Sequence, residues 1–590
     1  MWFKIVLIIV VASLAAHATA QQSPKTFCNP LDVDYGFFQR ADRVFRHGAD
    51  PVIVLYKDRY YLFSTWENGG YRVSDDLVTW TYIPFAPGVL PLKDYVAAAA
   101  AVIDGAIYFT EIGNAKKPVA LWRTTNPDSG VWEKVRDPMP AYADPALFVD
   151  PPSGRVFLYH GLERPIRGVE LDRKTFVEIP GTDTQLMPAV DPNHIADGWE
   201  VCTWDNNEAS PGMRGNKTFL PCREGPWMTY LNGTYYLQYA SPGTTVPGYA
   251  DGVLTSDKPL GPFTYQPYSP ISHKPTGFIT SAGHSSLFQD RHGNWWRAVT
   301  MLVGVHDRFE RRLGLFPAGF DADGVPYTRT DLGEAPIPIA TGPRDHAGDV
   351  GTNWVVVSDG MPVTTSSSLK DHAPGLAADE DVRTWWSAET GNADEWLQID
   401  LGKEHELLAA QVNLAEQDYQ RVDDPADAIH RFTLSVSTDG ETWTPVVDRK
   451  DAKTSAAHAY AQFEKPMRAR YAKLENTHTP GKGKFAVRDL RLFAAPRGEA
   501  PTPVELLTAK RDGTDRRKAT LSWTPSSGAA GYLIRYGIDP SRLNLHHRLR
   551  GGDVRELTLY NLNHAPPYHF RVDAVNDGGV TPSGAKANVQ

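Results

Sequence analysis

Five segments of the chain share one pattern, and this repetition limits the fold more than any other feature of the sequence. Each segment has a small or polar start, an apolar run, a turn and then a strand rich in aromatic residues. They are ADPVIVLYKDRYYLFST from Ala49, AAAAAVIDGAIYFTEIG from Ala97, ADPALFVDPPSGRVFLYHG from Ala143, EGPWMTYLNGTYYLQYA from Glu224 and GHSSLFQDRHGNWWRAVTM from Gly283. Turn dipeptides such as Asn232-Gly233 between apolar runs are typical of β-hairpins. A hairpin cannot bury its apolar face alone, so the pattern predicts a repeat architecture.

The spacing of the segments indicates how many strands each repeat contains. The first three start at intervals near the roughly 40–50 residues that a four-stranded propeller blade requires, and the later intervals are longer and contain insertions. The alanines from Ala97 favour a helix by propensity, but the VIDGAIYF that follows favours a buried strand. Aromatic residues make up 11% of the chain, which favours packed strands. The sequence therefore predicts an all-β fold that begins with a five-bladed β-propeller over residues 21–345.

Polar residues occupy the start of four of the five repeats. They are Asp50, Asp144, Glu224 and His284. The innermost strand of each blade lines the axis of a propeller, so we expect these side chains to meet there. A simpler interpretation is that the Asp-Pro pairs only begin strands, because proline fixes the entry geometry. Buried carboxylates that face each other are costly unless they serve chemistry. Such a pair suits glycoside hydrolysis, in which one carboxyl donates a proton and another activates water.

At these positions the sequence resembles glycoside hydrolase family 43. The matching segments are Asn29-Pro30, GADPVIVL with Asp50, ADPALF with Asp144, EGPW with Glu224, GHSSLF with His284 and FERRLGLFP with Arg311 and Arg312. The resemblance implies a five-bladed propeller and an inverting mechanism on glycans that contain arabinose, xylose or galactose. It implies that Asp50 is the general base and Glu224 the general acid, with Asp144 orienting the acid and raising its pKa. The apolar face of Trp227 is expected to disfavour ionised Glu224 as well.

Five further side chains are candidates for contacts with a sugar. His284 lies at the funnel floor in the resemblance, near a bound calcium ion or water, although a buried structural histidine is an alternative. Arg311 offers a rigid fork of donors for substrate hydroxyls, and Arg312 could take that role because the strand register is ambiguous by one residue. Trp66 and Trp227 follow the catalytic strands and are expected either to stack on a sugar or to pack in the core. No cofactor is expected to be required.

Two smaller modules are predicted after the propeller. Residues 346–497 resemble a coagulation factor 5/8 type C, or discoidin-like, module. The residues that carry this resemblance are Asp379 to Asp381, Trp385, Trp396, Asp400, Leu401 and Gly402. Such jelly rolls commonly bind terminal sugars, and the alternative is that the module is a structural spacer. A structural calcium ion is possible either in this module or near His284. Residues 503–590 follow a Pro-rich linker and resemble a fibronectin type III domain, with a predicted core of Trp523, Tyr532, Tyr536, Leu562, Tyr568 and Phe570.

The first residues indicate export. Residues 1–20 contain Lys4, an apolar stretch and a small-residue cleavage site, as in a secretory signal peptide. We therefore expect a secreted or periplasmic protein with no integral membrane segment after cleavage. The net charge of −10 argues against nucleic acid as a partner. The chain has 3 cysteines, which allow one disulfide, for example between Cys202 and Cys222, and no Cys/His cluster has zinc spacing.

These observations predict an exported, inverting exo-glycosidase that acts on a polysaccharide or oligosaccharide. Long insertions around the funnel favour a closed pocket and hence exo action. α-L-Arabinofuranosidase activity on plant polysaccharides is the leading expectation, and it rests on how common that activity is in the family. β-Xylosidase, exo-β-1,3-galactosidase and β-galactofuranosidase activities stay open. A non-catalytic glycan-binding protein is the alternative from another class.

Overall fold

A computed structural model describes residues 24–590 except 40–43, 66–68, 90–94, 113–118, 164, 189–197, 204–217, 220, 349, 421 and 423–424. The regular structure of the described residues consists of β-strands and short 3-10 turns. Among these residues there is no helix of the length and apolar character that a membrane crossing requires. The predicted signal peptide, residues 1–20, and Trp66 lie outside the described residues.

The first module consists of five four-stranded antiparallel sheets preceded by three short strands. The short strands are β1 (Thr26–Phe27), β2 (Gly36–Gln39) and β3 (Val44–His47). The first three sheets contain β4 (Ala49–Tyr56), β5 (Arg59–Thr65), β6 (Gly70–Ser74) and β7 (Thr81–Pro84); β8 (Ala99–Ile103), β9 (Ala106–Thr110), β10 (Val119–Thr124) and β11 (Glu133–Met139); and β12 (Ala146–Val149), β13 (Val156–His160), β14 (Ile166–Leu171) and β15 (Thr184–Met187). After the pair β16 (Cys202–Thr203) and β17 (Thr218–Phe219), the last two contain β18 (Glu224–Leu231), β19 (Thr234–Ser241), β20 (Ala250–Ser256) and β21 (Thr264–Tyr265); and β22 (Thr280–Gln289), β23 (Trp295–Leu302), β24 (Arg311–Phe320) and β25 (Pro326–Thr328).

Each sequence repeat forms the two inner strands of one blade. The connecting turns include Asp104-Gly105 and Asn232-Gly233, in which both residues have positive φ, as a two-residue hairpin requires. The inner strands contact their neighbours in the ring order β4, β8, β12, β18 and β22, and β22 contacts β4, so the ring closes. Strand β1 pairs with β26 (Ile337–Pro338), which fastens the two ends of the module together. The predicted five-bladed propeller is confirmed, including the strand formed by the alanine-rich repeat.

The second module is built on one large sheet. Its strands are β27 (Val355–Val356), β28 (Val363–Thr365), β29 (Trp386–Ser387), β30 (Trp396–Leu414), β31 (Arg431–Ser437), β32 (Thr444–Asp448), β33 (His458–His478) and β34 (Ala486–Ala494). The two longest, β30 and β33, run antiparallel and carry alternating buried side chains that form the apolar core with Trp386.

The third module is a sandwich of two antiparallel sheets. One sheet contains β35 (Leu507–Arg511), β36 (Ala519–Trp523) and β39 (Glu556–Leu559), and the other contains β37 (Gly531–Gly537), β38 (Leu545–Arg550), β40 (Tyr568–Asn576), β41 (Gly579–Thr581) and β42 (Lys586–Val589). The predicted core residues of this module are all buried between the sheets.

The modules share buried surfaces. Val382 and Ala457 of the second module lie in the apolar cluster between the first and fifth blades, where each is at most 1% exposed. Arg491 of β34 crosses the same boundary: its guanidinium bonds Glu380 at 2.8 Å and the carbonyl of Glu334 at 2.7 Å, and it lies 4.4 Å from the ring centre of Phe278. The propeller and the second module therefore have a continuous interior.

The third module also contacts the propeller through polar groups. Asn563 donates to the carbonyl of Ser269 at 2.8 Å, and Arg535 pairs with Asp331 at 3.0 Å. The backbone N–H of Arg548 donates to the Thr276 hydroxyl at 2.8 Å. These bonds fix the third module against the fourth and fifth blades.

Replacing Arg491 with methionine tests the shared interior. The change leaves Glu380 without its buried partner, which costs about 3–5 kcal/mol of unfolding free energy. Differential scanning calorimetry should show a clearly lower melting temperature for Arg491→Met. The matched control is Arg497→Met, because Arg497 pairs with Glu406 at the surface and is 52% exposed. Equal melting temperatures for the two variants would contradict a coupled interior.

Candidate active site

The inner strands of the five blades begin with the same unusual backbone conformation. The residues in the left-handed region are Asp50 (φ 53°), Ala97 (φ 46°), Asp144 (φ 46°), Gly225 (φ 58°) and His284 (φ 42°). In β4, β18 and β22 this point coincides with a β-bulge. The sequence analysis places Glu224 at the matching position, but the structure places Gly225 there and Glu224 one residue earlier. The prolines show the same offset in the sequence, because Pro226 directly follows Gly225 as Pro51 directly follows Asp50.

Asp50 is held by four neighbours. Its carboxylate accepts a hydrogen bond from the Thr65 hydroxyl at 2.5 Å, and its backbone N–H donates to Thr300 Oγ1 at 2.8 Å. Oδ1 lies 3.2 Å from His284 Nδ1 and 3.4 Å from Arg311 Nη1. Burial opposes ionisation of Asp50, but the positive charges of Arg311 and His284 and the hydroxyls outweigh it and lower the pKa of this carboxyl. These contacts favour the ionised form of Asp50 and fix the orientation of its carboxylate.

Asp144 has the opposite electrostatic character. It is 5% exposed, its Oδ2 accepts the backbone N–H of Gly225 at 3.2 Å, and it lies 4.0 Å from His284 Nδ1. Burial and the like charges of Glu224 and Asp50 raise the pKa of Asp144 to about 7, although His284 acts against this. This direction belongs to Asp144 itself, and the predicted effect of Asp144 on Glu224 stays a prediction.

His284 lies between the carboxylates. Burial disfavours its charged form, but Asp50, Asp144 and Glu224 outweigh that effect and raise the pKa of the imidazole. The imidazolium so favoured compensates part of the negative charge that the funnel would otherwise concentrate. Asp251 supports this residue from beneath, where its carboxylate accepts hydrogen bonds from Ser285 and from the backbone N–H of His284.

Two residues that sequence reasoning missed contact Glu224. The Tyr249 hydroxyl donates to Glu224 Oε1, and Cys222 Sγ lies 3.2 Å from Glu224 Oε2. Cys222 is a free thiol in the structure. The side chain of Cys202, its suggested disulfide partner, lies outside the described residues. Cys222 lies two residues before Glu224 in the sequence, so its closeness to this carboxyl could have been noticed. Tyr249 follows an irregular loop, and no sequence pattern connects it with Glu224.

The two arginines of the FERRLGLFP motif face different surroundings. Arg311 donates to Thr244 Oγ1 at 2.7 Å and contacts Asp50, so it faces the funnel. Arg312 is fully buried and donates from Nε to His458 of the second module at 2.8 Å. The register ambiguity is therefore resolved: Arg311 belongs to the site, and Arg312 does not reach it because neighbouring strand residues point to opposite faces.

Trp227 is partly buried and packs against two apolar clusters, one formed by the first and second blades and the other by the third and fourth. Stacking of Trp227 on a sugar stays a prediction.

A calcium ion near His284 stays a prediction. Calcium prefers six to eight oxygen ligands, and here an imidazole nitrogen lies beside the carboxylates. Among the described residues, the metal-type grouping of ligand atoms within 4.8 Å consists of His306, Glu310 and Glu416. Arg488 pairs with Glu310 at 2.7 Å and Arg46 with Glu416 at 2.6 Å, so arginine charges already neutralise those carboxylates.

Comparison with known protein families agrees with this geometry. Residues 44–326 match the model of glycosyl hydrolases family 43, residues 362–489 that of the F5/8 type C domain and residues 500–590 that of the fibronectin type III domain. The propeller matches the model of glycosyl hydrolases family 43, and the three matches together indicate a glycoside hydrolase with two appended modules.

Individual relatives are distant. The chain is 26% identical over 270 residues to a β-D-galactofuranosidase of Aspergillus niger, a match that covers 41% of this chain and 69% of that protein. A solved glycoside hydrolase is 17% identical, with a TM-score of 0.45 and coverage of 75% of this chain and 97% of that one. The xyloglucan PUL GH43B of Bacteroides ovatus is 16% identical, with a TM-score of 0.42 and coverage of 80% and 98%.

Replacing Gly225 with alanine should damage the site without unfolding the propeller. A Cβ at this position would lie 2.6 Å from His284 Cδ2, and φ at Gly225 is +58°, where alanine is strained. Because the ring of His284 must move away from Asp50 and Asp144, we expect a loss of kcat/KM of about 10²-fold. The control is Gly342→Ala, which adds a methyl group in open space. Unchanged hydrolysis by Gly225→Ala would contradict the close packing of His284 on this backbone.

Proposed function

We propose that this protein is an inverting exo-glycosidase that releases terminal furanosyl residues from polysaccharides or oligosaccharides. The observation that carries the proposal is the unequal environment of the two aspartates on one axis. Arginine and histidine favour ionised Asp50, while burial and neighbouring carboxylates favour protonated Asp144 beside Glu224. A site that holds one base and one retained proton suits hydrolysis in a single displacement.

The reaction follows from these environments. Asp50 removes a proton from a water molecule, whose oxygen attacks the anomeric carbon of the terminal sugar. Glu224 donates a proton to the leaving glycosidic oxygen as the bond to the anomeric carbon breaks. The Tyr249 hydroxyl and the Cys222 thiol hold the Glu224 carboxyl in place, and Asp144 is a second place for the proton within the buried group. No cofactor takes part in these steps.

The choice of sugar rests on one relative and on stereochemistry. The Aspergillus relative is named a β-D-galactofuranosidase. β-D-Galactofuranose and α-L-arabinofuranose have the same ring configuration and differ by one hydroxymethyl group on the exocyclic carbon. One pocket can therefore accept both, since a single small group changes binding by only about 1–3 kcal/mol. α-L-Arabinofuranosyl ends of plant polysaccharides are the first candidate substrate, and β-D-galactofuranosyl ends are the second.

The other modules and the predicted signal peptide suit work outside the cytoplasm. We infer a secreted or periplasmic enzyme, with the discoidin-like module as a contact for glycan chains. The whole chain contains 60 Lys+Arg against 70 Asp+Glu, and this net negative charge gives no general attraction to nucleic acid.

Substitution of the acid tests the proposed roles. Glu224→Gln keeps the size of the side chain but cannot donate the proton, so kcat on an aryl α-L-arabinofuranoside should fall about 10²–10⁴-fold. Glu133→Gln is the control, because Glu133 is an exposed propeller carboxylate that pairs only at the surface with Arg123. Wild-type rates in Glu224→Gln would remove Glu224 from the mechanism.

A substrate panel tests the sugar. We expect hydrolysis of aryl α-L-arabinofuranoside, weaker hydrolysis of aryl β-D-galactofuranoside, and little on aryl β-D-xyloside or β-D-galactoside. Preference for the xyloside or the galactoside would place the enzyme with the β-xylosidases or the exo-β-1,3-galactosidases. Glycan binding without any hydrolysis by folded protein would favour the non-catalytic alternative.

The dependence of kcat/KM on pH should be bell-shaped. Activity requires ionised Asp50, whose pKa is lowered, so the acidic limb should lie below the usual carboxyl range. Burial and the neighbouring carboxylates raise the pKa of Asp144, which lies beside the proposed acid, to about 7, so its ionisation should give the alkaline limb near that value. Asp144→Asn removes this titrating group, so the alkaline limb should move away from pH 7. An unmoved alkaline limb in that variant would show that another group controls it.

A further inference from the structure

Two strands of the propeller present alternate residues to the active site and to the second module. In β3, His47 approaches the Arg311 guanidinium at 3.4 Å, while the neighbouring Arg46 points towards the second module. In β24, Arg311 contacts Asp50, while the neighbouring Arg312 points towards the second module. The period of two in a strand therefore gives each strand one residue for the substrate side and one for the module interface.

The interface side of these strands is a buried group of charges. Arg46 Nη1 bonds Glu416 Oε1 at 2.6 Å, and Arg46 Nη2 donates to the Ser455 hydroxyl at 3.0 Å. Arg488 Nη2 lies 2.7 Å from Glu310 and 3.4 Å from Glu416. We call this group the charge clamp; its members are Arg46, Glu310, Arg312, Glu416 and Arg488, and each of these side chains is 0% exposed.

The charge clamp also holds the loop that leads into Arg311. Glu310 accepts the backbone N–H groups of Val305 and His306 at 3.1 and 2.8 Å, which closes the loop between β23 and β24 on itself. Trp385 of the second module stacks on the His306 ring, with ring centres 5.3 Å apart and planes 26° from parallel. The second module therefore contacts both ends of the segment from 305 to 310.

Hydrogen bonds to backbone carbonyls connect the charge clamp to Arg311 and His47. Arg312 Nη1 donates to the carbonyl of Arg46 at 2.6 Å, and Gly48 N–H donates to the carbonyl of Arg311 at 3.2 Å. His47 Nδ1 lies 2.5 Å from the carbonyl of Phe309. These bonds tie β3, β24 and the loop into one unit, so a shift of Arg46 or Arg312 also shifts His47 and Arg311.

We propose that the second module is a working part of the active site, in which Glu416 is a positioning residue. Through Arg46 and together with Arg488, Glu416 holds the strands that carry His47 and Arg311 in place and so keeps Arg311 against Asp50. This role rests on the proposed hydrolase function, since Asp50 matters as the base. This positioning role differs from that of a module that only carries the enzyme to a glycan. A module of that kind would not contribute a buried charge behind an arginine that faces the substrate.

Glu416 is central because of the charge balance. The clamp contains three guanidinium groups and two carboxylates in a place without solvent, and Glu416 lies near all three arginines. Removing one partner of a buried ion pair leaves the other charge uncompensated, and the structure then rearranges or loses stability. Without Glu416, repulsion between Arg46, Arg312 and Arg488 should displace the strands that carry His47 and Arg311.

The test is Glu416→Gln in the full-length enzyme, measured by kcat/KM of an aryl furanoside as a function of pH. The described titratable and polar groups that act on Asp50 are Arg311, His284, Asp144, Tyr249, Thr65 and Thr300. Because Arg311 lowers the pKa of Asp50, withdrawal of Arg311 should move the acidic limb to higher pH and reduce kcat/KM by about 10²-fold, the effect of a misplacement near 1 Å. Arg311→Gln should move the same limb in the same direction. The control is Glu404→Gln, whose partner Arg468 is 70% exposed.

A variant that is merely less stable would lose active protein but keep the wild-type acidic limb, and that result in folded Glu416→Gln would overturn the proposal. If Glu416→Gln does not fold, Glu416→Asp keeps the charge and withdraws it by one methylene. A smaller shift of the limb in the same direction supports the proposal, and an unshifted limb in folded Glu416→Asp overturns it. Wild-type enzyme inactive on every furanoside and pyranoside would overturn the proposed function together with this role. Active wild type with unshifted variants would overturn the role alone.

Discussion

The structure depends on the cost of bringing carboxylates together away from water. Asp50, Asp144 and Glu224 are each at most 7% exposed, and their charges repel one another across the propeller axis. Burial alone would keep all of them neutral, which would leave no base. His284 and Arg311 supply positive charge next to Asp50, while burial and the neighbouring carboxylates raise the pKa of Asp144 to about 7. The different environments of Asp50 and Asp144 therefore follow from the positions of Arg311 and His284. The five-fold arrangement of the strands determines where these two residues can lie.

Much of this arrangement could be predicted from the sequence. Hairpin turns such as Asn232-Gly233 and the repeated strand pairs predict the propeller, and the repeat starts locate Asp50, Asp144 and His284 around one axis. The displacement of Glu224 by one residue could have been predicted from Pro226, which follows Gly225 as Pro51 follows Asp50, whereas the left-handed backbone shared by these positions depends on how the strands pair. Contacts between distant segments, such as Tyr249 with Glu224, likewise depend on loop paths that carry no periodic pattern.

The appended modules show a second limit of sequence reasoning. Their family resemblance predicts their folds but says nothing about how they pack on the propeller. The packing is polar as well as apolar: Arg491 lies between aromatic rings, and Glu416 meets Arg46 in a solvent-free interface. Buried pairs of this kind contribute little net stability but penalise every alternative arrangement, so they suit a boundary that must hold one geometry. The boundary with the second module lies directly behind Arg311, which connects module packing to the electrostatics of Asp50.

The central claim is that Asp50 activates water for a single displacement at the anomeric carbon. Proton NMR of the sugar released at early times, before mutarotation, tests it most directly. The account predicts that the first product has the anomeric configuration opposite to that of the substrate. Release of a product with the configuration of the substrate would mean a covalent intermediate and two displacements, and it would contradict the assignment of Asp50 as the base for water.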